Sequence, residues 1–323
     1  MATPWRIRYE RRELHQIDDL ATAVQVYAVI GGVAAYAREM VANDVPLAPQ
    51  ELDRWLCHRV LSPASPLLGE VELLFGEDPL VSTARKPNLH HATLADVALG
   101  NHAWGSLTNY VRIPGASLQA IMDALVAADF IARVQDPVRD NRPTYHPSDP
   151  LIRFHYAVIR RHQAGPGRHG VDTMALWAEL ITTFRSQVLG PCFESMARYW
   201  TTHFADRATL GGMAEHVGPT MLPVPNDETG AVEIRKVDVV VAADDGNTPG
   251  ARTVCALGEA KAGERITMRH VHRLEVARSA MGARADGARL LLFGQLFDDE
   301  VRQAQATRAD VEVIDLDRLY AGS

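Results

Sequence analysis

Lysine is almost missing from this chain. Of its 33 basic residues, three are lysines, Lys86, Lys236 and Lys261. A surface cation with no special task would here be Arg. A lysine at the end of an apolar strand therefore reads as retained for its compact ammonium, which approaches a phosphate or a water more closely than a guanidinium does. Cysteine is also scarce: Cys57, Cys192 and Cys255 lie far apart with no C-x-x-C spacing. That excludes a zinc ribbon and a disulfide framework, and it suits a reducing cytoplasm. No apolar run approaches the ~18 residues of a membrane span. The basic stretch Met1 to Arg12 lacks the apolar core of a signal peptide. The expectation is a cytoplasmic protein with no membrane partner. The net charge of −7 excludes a generally basic nucleic-acid binder, so contact with DNA must come from local patches or a metal ion. G-x-x-x-x-G-K-[ST], G-x-S-x-G and H-E-x-x-H are all absent, so these residues hold no P-loop, nucleophile elbow or zincin helix. Gly165 to Gly170 is glycine-rich without a lysine or a preceding strand and reads as a linker.

What remains divides by rhythm. Residues 13–80 read as helical, with Asp18–Met40 interrupted at Gly31-Gly32, Pro49–Val60 and Leu67–Phe75 as the segments. From 81 to 150 the spacing predicts helices at His91–Leu99 and Ser106–Val111, and a third from Ser117 as N-cap to Phe130. Two short β segments, 131–134 and 144–146, then flank a polar loop. Three helices and a hairpin in this order suggest a winged helix-turn-helix. Further helices are expected at Leu151–His162 and Asp172–Phe204, and from residue 231 the pattern turns β. Strands Val232–Val241 and Val254–Gly258, helix Thr267–Met281, strand Arg289–Gly294, helix Asp299–Arg308 and strand Val311–Ile314 make an α/β layout around a mixed sheet.

The chemistry concentrates where the first two of those strands pair. Asp238 lies inside one apolar strand, and Glu259-Ala260-Lys261 ends the next. Residues i and i+2 of a strand share a face, so Glu259 and Lys261 face the same way. The turn Asp244–Gly250 lets the two strands fold back as a hairpin that brings Asp238 near Glu259. Two carboxylates and a backbone carbonyl such as that of Ala260 offer Mg²⁺ or Mn²⁺ a few hard oxygens and leave its other positions to water and substrate. Lys261 would orient the attacking water or stabilise transition-state charge. Glu194, on the preceding helix beside Phe193 and Ala197, completes the set as a metal ligand through water.

Asp238, Glu259-Ala260-Lys261 and the upstream Glu194 resemble the PD-(D/E)XK nuclease pattern. The chain is further similar to the C-terminal portion of the archaeal-type ATPase family, where a P-loop ATPase core is followed by a helical lid, a winged helix and a PD-(D/E)XK-like domain. Tyr27 to Val33, Arg153-Phe154-His155-Tyr156, Leu291 to Gly294 and Val313 to Tyr320 carry the likeness in order. The resemblance implies an α+β multidomain protein lacking the P-loop core. Its parts are a helical region (1–80), a winged helix-turn-helix-like domain (81–164), and a C-terminal α/β PD-(D/E)XK restriction-endonuclease-like domain with a mixed sheet (165–323). It also implies a Mg²⁺-dependent deoxyribonuclease, with Asp238, Glu259 and Glu194 on the metal and Lys261 assisting water attack.

Two basic groups are candidates for the nucleic-acid backbone. Arg265, Arg269, His270 and Arg273 follow Lys261 closely, either as a phosphate grip beside the metal or as the solvated face of a helix. Arg133, Arg139 and Arg142 fall on the wing. The helix expected to serve for recognition offers Gln119, Asp123 and Asp129 but no Arg or Lys, so base readout by it is disfavoured. The alternative to a nuclease is a non-catalytic DNA- or protein-binding adaptor working with a separate ATPase.

Overall fold

The computed structural model describes residues 17–84, 86–100, 102–161, 172–225, 230–246 and 250–322. The basic N-terminal stretch, the glycine-rich segment 165–170 and the middle of the turn 244–250 lie outside them. The protein is a mixed α+β structure, and its contacts gather into two units. One comprises residues 1–133 and 144–192, the other residues 134–143 and 193–323. The sequence reading cuts the chain at 80 and 164 instead. The main cut falls near 192 because the helix Thr173–Thr183 and its continuation Phe184–Leu189 pack into the first unit. Phe184 meets Phe154 edge-on at 6.1 Å and Trp177 at 5.5 Å, while the Trp177 indole N–H donates to Asp53 at 2.8 Å.

In the first unit, Leu20–Ile30 is capped by Asp19, whose carboxylate accepts the Thr22 amide, and stops at Gly31, where φ is +61°. Pro87–Ala98, Trp104–Val111 and Gly115–Ala127 form three successive helices. The third starts two residues before Ser117, because Pro114 takes the N-cap place and its carbonyl accepts the Ser117 amide at 2.9 Å. A two-stranded hairpin follows, β1 (Ile131–Val134) and β2 (Thr144–Pro147). Among the described residues no helix is long and apolar enough to cross a membrane.

The second unit is built on a five-stranded mixed sheet in the order β3 (His216–Pro225), β4 (Val232–Asp244), β5 (Arg252–Ile266), β6 (Arg289–Phe297) and β7 (Val311–Ile314). The β3, β4 and β5 strands run antiparallel; β5, β6 and β7 run parallel. Strand β3 has no counterpart in the sequence reading. Pro219, Pro223 and Pro225 interrupt its pattern, and proline is tolerated in a sheet mainly at an edge or a bulge. Both conditions hold, since among the described residues β3 pairs only with β4 and its register slips between Gly218 and Thr220.

Three helices complete the part of this unit that matters for function: α1 (Gly190–His203), α2 (Met268–Met281) and α3 (Asp299–Thr307). One face of the sheet carries Val240, Leu257, Leu290 and Leu292 into a core shared with Val271 and Leu274 of α2 and Val301 of α3. On the opposite face Trp200 of α1 stands edge-on to Phe293 at 5.8 Å. Gly258 fits between strands on that side. A methyl group there would come within 3.0 Å of Val239 Cβ and 3.1 Å of the Phe293 ring.

One buried group of the first unit makes folding pH-dependent. His155 is wholly buried, and neither ring nitrogen has a hydrogen-bond partner among the described residues; Glu72 approaches Nε2 to 3.5 Å. Burial outweighs the pull of Glu72 and lowers the imidazole pKa to about 4. Between that value and the ordinary histidine range the unfolded chain binds the extra proton. Stability should therefore fall as pH drops from about 6.5 to about 4, by on the order of 3 kcal/mol. Urea melts across this range, compared with His155→Phe, check it. The variant should show a clearly shallower decline.

Candidate functional site

The β4 and β5 strands stay paired down to Val239 and Gly258 and then part. At the next step Asp238 turns its side chain to the neighbouring strand, and its Oδ2 accepts the Ala260 amide at 3.1 Å. A carboxylate thus stands where a ladder carbonyl would otherwise be. Beyond this point β5 continues on β6, with Glu259, Ala260 and Lys261 opposite Leu292, Phe293 and Gly294. Alternation from Leu257 puts Glu259 on the face covered by α2. Asp238 and Glu259, at the point where this pairing ends, are buried, at 5% and 3% exposed.

A helix supplies the third carboxylate. Phe193, Met196, Ala197 and Trp200 bury one side of α1, which fixes Glu194 at the margin of that apolar stripe. Its Oε2 accepts from Lys236 of β4, and the Lys236 ammonium also lies 3.3 Å from Asp238 Oδ1. Arg198, one turn further along α1, reaches Glu194 at 3.7 Å and donates to the Asp238 carbonyl at 3.1 Å and to Ser195 Oγ at 2.9 Å. Lys261 Nζ sits 2.8 Å from Glu259 Oε1, and Arg273 of α2 comes within 3.5 Å of the same oxygen. The four residues nominated from sequence thus fall in two ion-paired groups, Glu194 and Asp238 around Lys236 and Arg198, and Glu259 with Lys261 and Arg273; the bond from the Ala260 amide to Asp238 links them.

Electrostatics follow from this packing. Burial pushes the Glu194 carboxyl pKa up, the Asp238 charge adds to the rise, and Lys236 and Arg198 oppose it. The Arg198 guanidinium is depressed by its own burial. For Lys261, burial works against the charge, but Glu259, and less strongly Asp238, prevail and raise the ammonium pKa. Lys261 is thus held as a cation, suited to binding an anion or stabilising developing negative charge rather than to accepting a proton.

The donor set is all carboxylate, with no Cys or His, which suits a hard divalent ion such as Mg²⁺ or Mn²⁺. The fit is one of chemistry and neighbourhood rather than finished coordination. Among the described residues, the set of three ligand side chains whose atoms all lie within 4.8 Å of one another is Glu215, His216 and Asp244. In the Glu215 group, His216 Nε2 meets Asp244 Oδ1 at 2.9 Å, Glu215 accepts the Asp244 amide at 2.7 Å, and Arg252 donates to Asp244 at 3.3 Å. These bonds join the ends of β3, β4 and β5 at the surface.

The basic candidates separate. Arg273 touches the carboxylates. Arg265 pairs with Asp298 at 3.7 Å, and Arg269 is exposed on α2. His270 does not join a basic surface: it is buried, Nδ1 accepts the Thr267 amide at 3.1 Å, and the two residues form the capping box of α2. Arg133 is exposed on β1; in the second unit, Arg142 is exposed and Arg139 partly so. Their loop is anchored by Asp136, which accepts from Thr220 at 2.7 Å, and by Asp140, which pairs with Arg252 at 2.9 Å. Gln119 spends its amide on Asp123 at 2.7 Å. Sequence reasoning left out Lys236 and Arg198 as members of the site. The available signals were the rarity of lysine and the i, i+4 spacing of Glu194 and Arg198.

The two arginines should differ sharply on removal. Arg198→Ala strips a buried cation from Glu194 and a donor from the Asp238 carbonyl, and should cost about 3 kcal/mol. Arg273→Ala acts at the exposed margin of the network and should cost less than about 1 kcal/mol. Chemical denaturation of both variants checks the contrast, and equal losses would count against it.

No known family profile matches the chain. No solved structure matches it either. The uncharacterized protein MJECL04 of Methanocaldococcus jannaschii is 25% identical over 116 residues, which are 35% of this chain and 25% of that protein. The chain thus spans about a quarter of the length of the curated relative it matches.

Proposed function

We propose that the second unit is a PD-(D/E)XK nuclease-like domain: a phosphodiesterase that acts on DNA with Mg²⁺ or Mn²⁺. The observation that carries this reading is the place of Asp238: where the β4–β5 pairing ends, it accepts from the amide between Glu259 and Lys261 and shares the Lys236 ammonium with Glu194. Asp238 and Glu259, with Glu194 through water, would hold the ion. When bound, it would neutralise phosphate charge and lower the pKa of a coordinated water. Lys261, held as a cation beside Glu259, would orient that water or stabilise the extra negative charge at phosphorus. Arg265, Arg269 and Arg273 on the α2 side would receive the flanking phosphates. In the first unit, three helices followed by a hairpin support a winged helix-turn-helix, whose Arg133 would touch the DNA backbone; Arg139 and Arg142, in the second unit, are further candidates for backbone contact.

One observation favours a second reading, a non-catalytic adaptor that works with a separate ATPase. Lys236, Arg198, Lys261 and Arg273 already neutralise the three carboxylates, as they would in a site retained for structure.

Two measurements separate the readings. Titration calorimetry with Mn²⁺ should give weak binding to the wild type and none to Asp238→Ala, since such sites borrow ligands from substrate phosphate. Cleavage of supercoiled plasmid and of single-stranded DNA should fall about 10²–10³-fold in Lys261→Ala, with folding intact. Lys261→Arg should not restore it, because the planar guanidinium cannot take the ammonium's place. Metal binding without cleavage in any preparation would favour the adaptor.

A further inference from the structure

Lys236 has a use that the nuclease reading leaves unassigned. Its ammonium bridges the Glu194 carboxylate of α1 and Oδ1 of Asp238 on β4. A small cation shared by two carboxylates from different elements does what a divalent ion would do at the same place. We infer that Lys236 is a resident counter-cation in the metal subsite between Glu194 and Asp238, and that a divalent ion enters by displacing it. The inference rests on the metal-site reading above.

The two cations on Glu194 differ in freedom. Arg198 has a side chain 9% exposed and is tied to Glu194, to the Asp238 carbonyl and to Ser195. Its planar fork cannot leave without breaking all three. Lys236 has a side chain 33% exposed, and its ladder partner is Met221, itself 42% exposed. A flexible four-carbon stem with an open side toward solvent lets the ammonium swing away while the strand stays in place.

Charge arithmetic gives the exchange a purpose. Two carboxylates with Lys236 and Arg198 sum to zero; replacing the ammonium by a divalent ion leaves one positive charge. Without substrate the neutral arrangement is self-sufficient and resists metal. A phosphodiester anion compensates the extra charge, so metal and DNA favour each other's binding. The lysine thus makes the site selective for an ion that arrives together with a phosphate.

The test is Mn²⁺ titration calorimetry on the full chain, comparing wild type, Lys236→Met, Lys236→Arg and Asp238→Ala. Lys236→Met keeps the stem and removes the charge; it should bind Mn²⁺ at least about tenfold more tightly than wild type, a gain of about 1.4 kcal/mol. Lys236→Arg should bind no more tightly than wild type. If Lys236→Met and wild type bind alike while Asp238→Ala abolishes binding, the exchange is wrong and the metal site stands. If none of the four binds, the metal site falls and the inference with it. A second readout needs no variant to fold. The three lysines give three resolvable signals in protein labelled with ¹³C at lysine Cε. Saturation with Mg²⁺ should move the Lys236 signal toward that of a solvated lysine, and an unmoved signal at saturation would overturn the exchange.

Discussion

The hydrogen bond from the Ala260 amide to the Asp238 carboxylate is the constraint on which the site depends. It stands where β4 and β5 stop pairing, while β4 stays on β3 and β5 on β6. A backbone amide left open there would be costly to bury unpaired. Asp238 satisfies it with a side chain, and in doing so buries a carboxylate where the pairing of the strands ends. That placement forces the rest. A buried anion needs partners, and the partners, Lys236 and Arg198, carry Glu194 of α1 into the same cluster.

The cluster is held by apolar packing on both faces of the sheet. Core residues under α2 and α3 keep β5 and β6 in parallel register, so that Glu259 and Lys261 project in step. Trp200 and Phe293 on the other face hold α1 down. The charges contribute little net stability by comparison, because their desolvation offsets much of their attraction. Their value lies in being preorganised, with partly exposed Lys236 on one side and buried Arg198 on the other.

Much of this was legible in the sequence. Asp238 inside an apolar strand, and Glu259 and Lys261 two apart at the end of the next, are visible as alternation. The apolar stripe Phe193, Ala197 and Trp200 shows which side of Glu194 is buried. Strand β3 was not legible, because its prolines break the pattern that marks a strand. The role of His270 was hidden as well: in sequence it sits among arginines, whereas in the fold it caps α2. The main division of the chain also moved, since the helical stretch 173–189 reads as part of the second unit until Trp177 and Phe184 are seen packed in the first.

By itself, the sequence determined the α+β class, most helices and strands, and the residue types able to form an oxygen-rich charged site, because period and polarity are local properties of the chain. The tertiary structure decided which charges meet. Glu194 and Lys236 are 42 residues apart, and Lys236 stands within two residues of Asp238 with no local sign that its ammonium bridges two carboxylates. Such a contact is settled by where strands diverge and how a helix lies on a sheet, and those follow from packing across the whole unit rather than from any stretch of sequence.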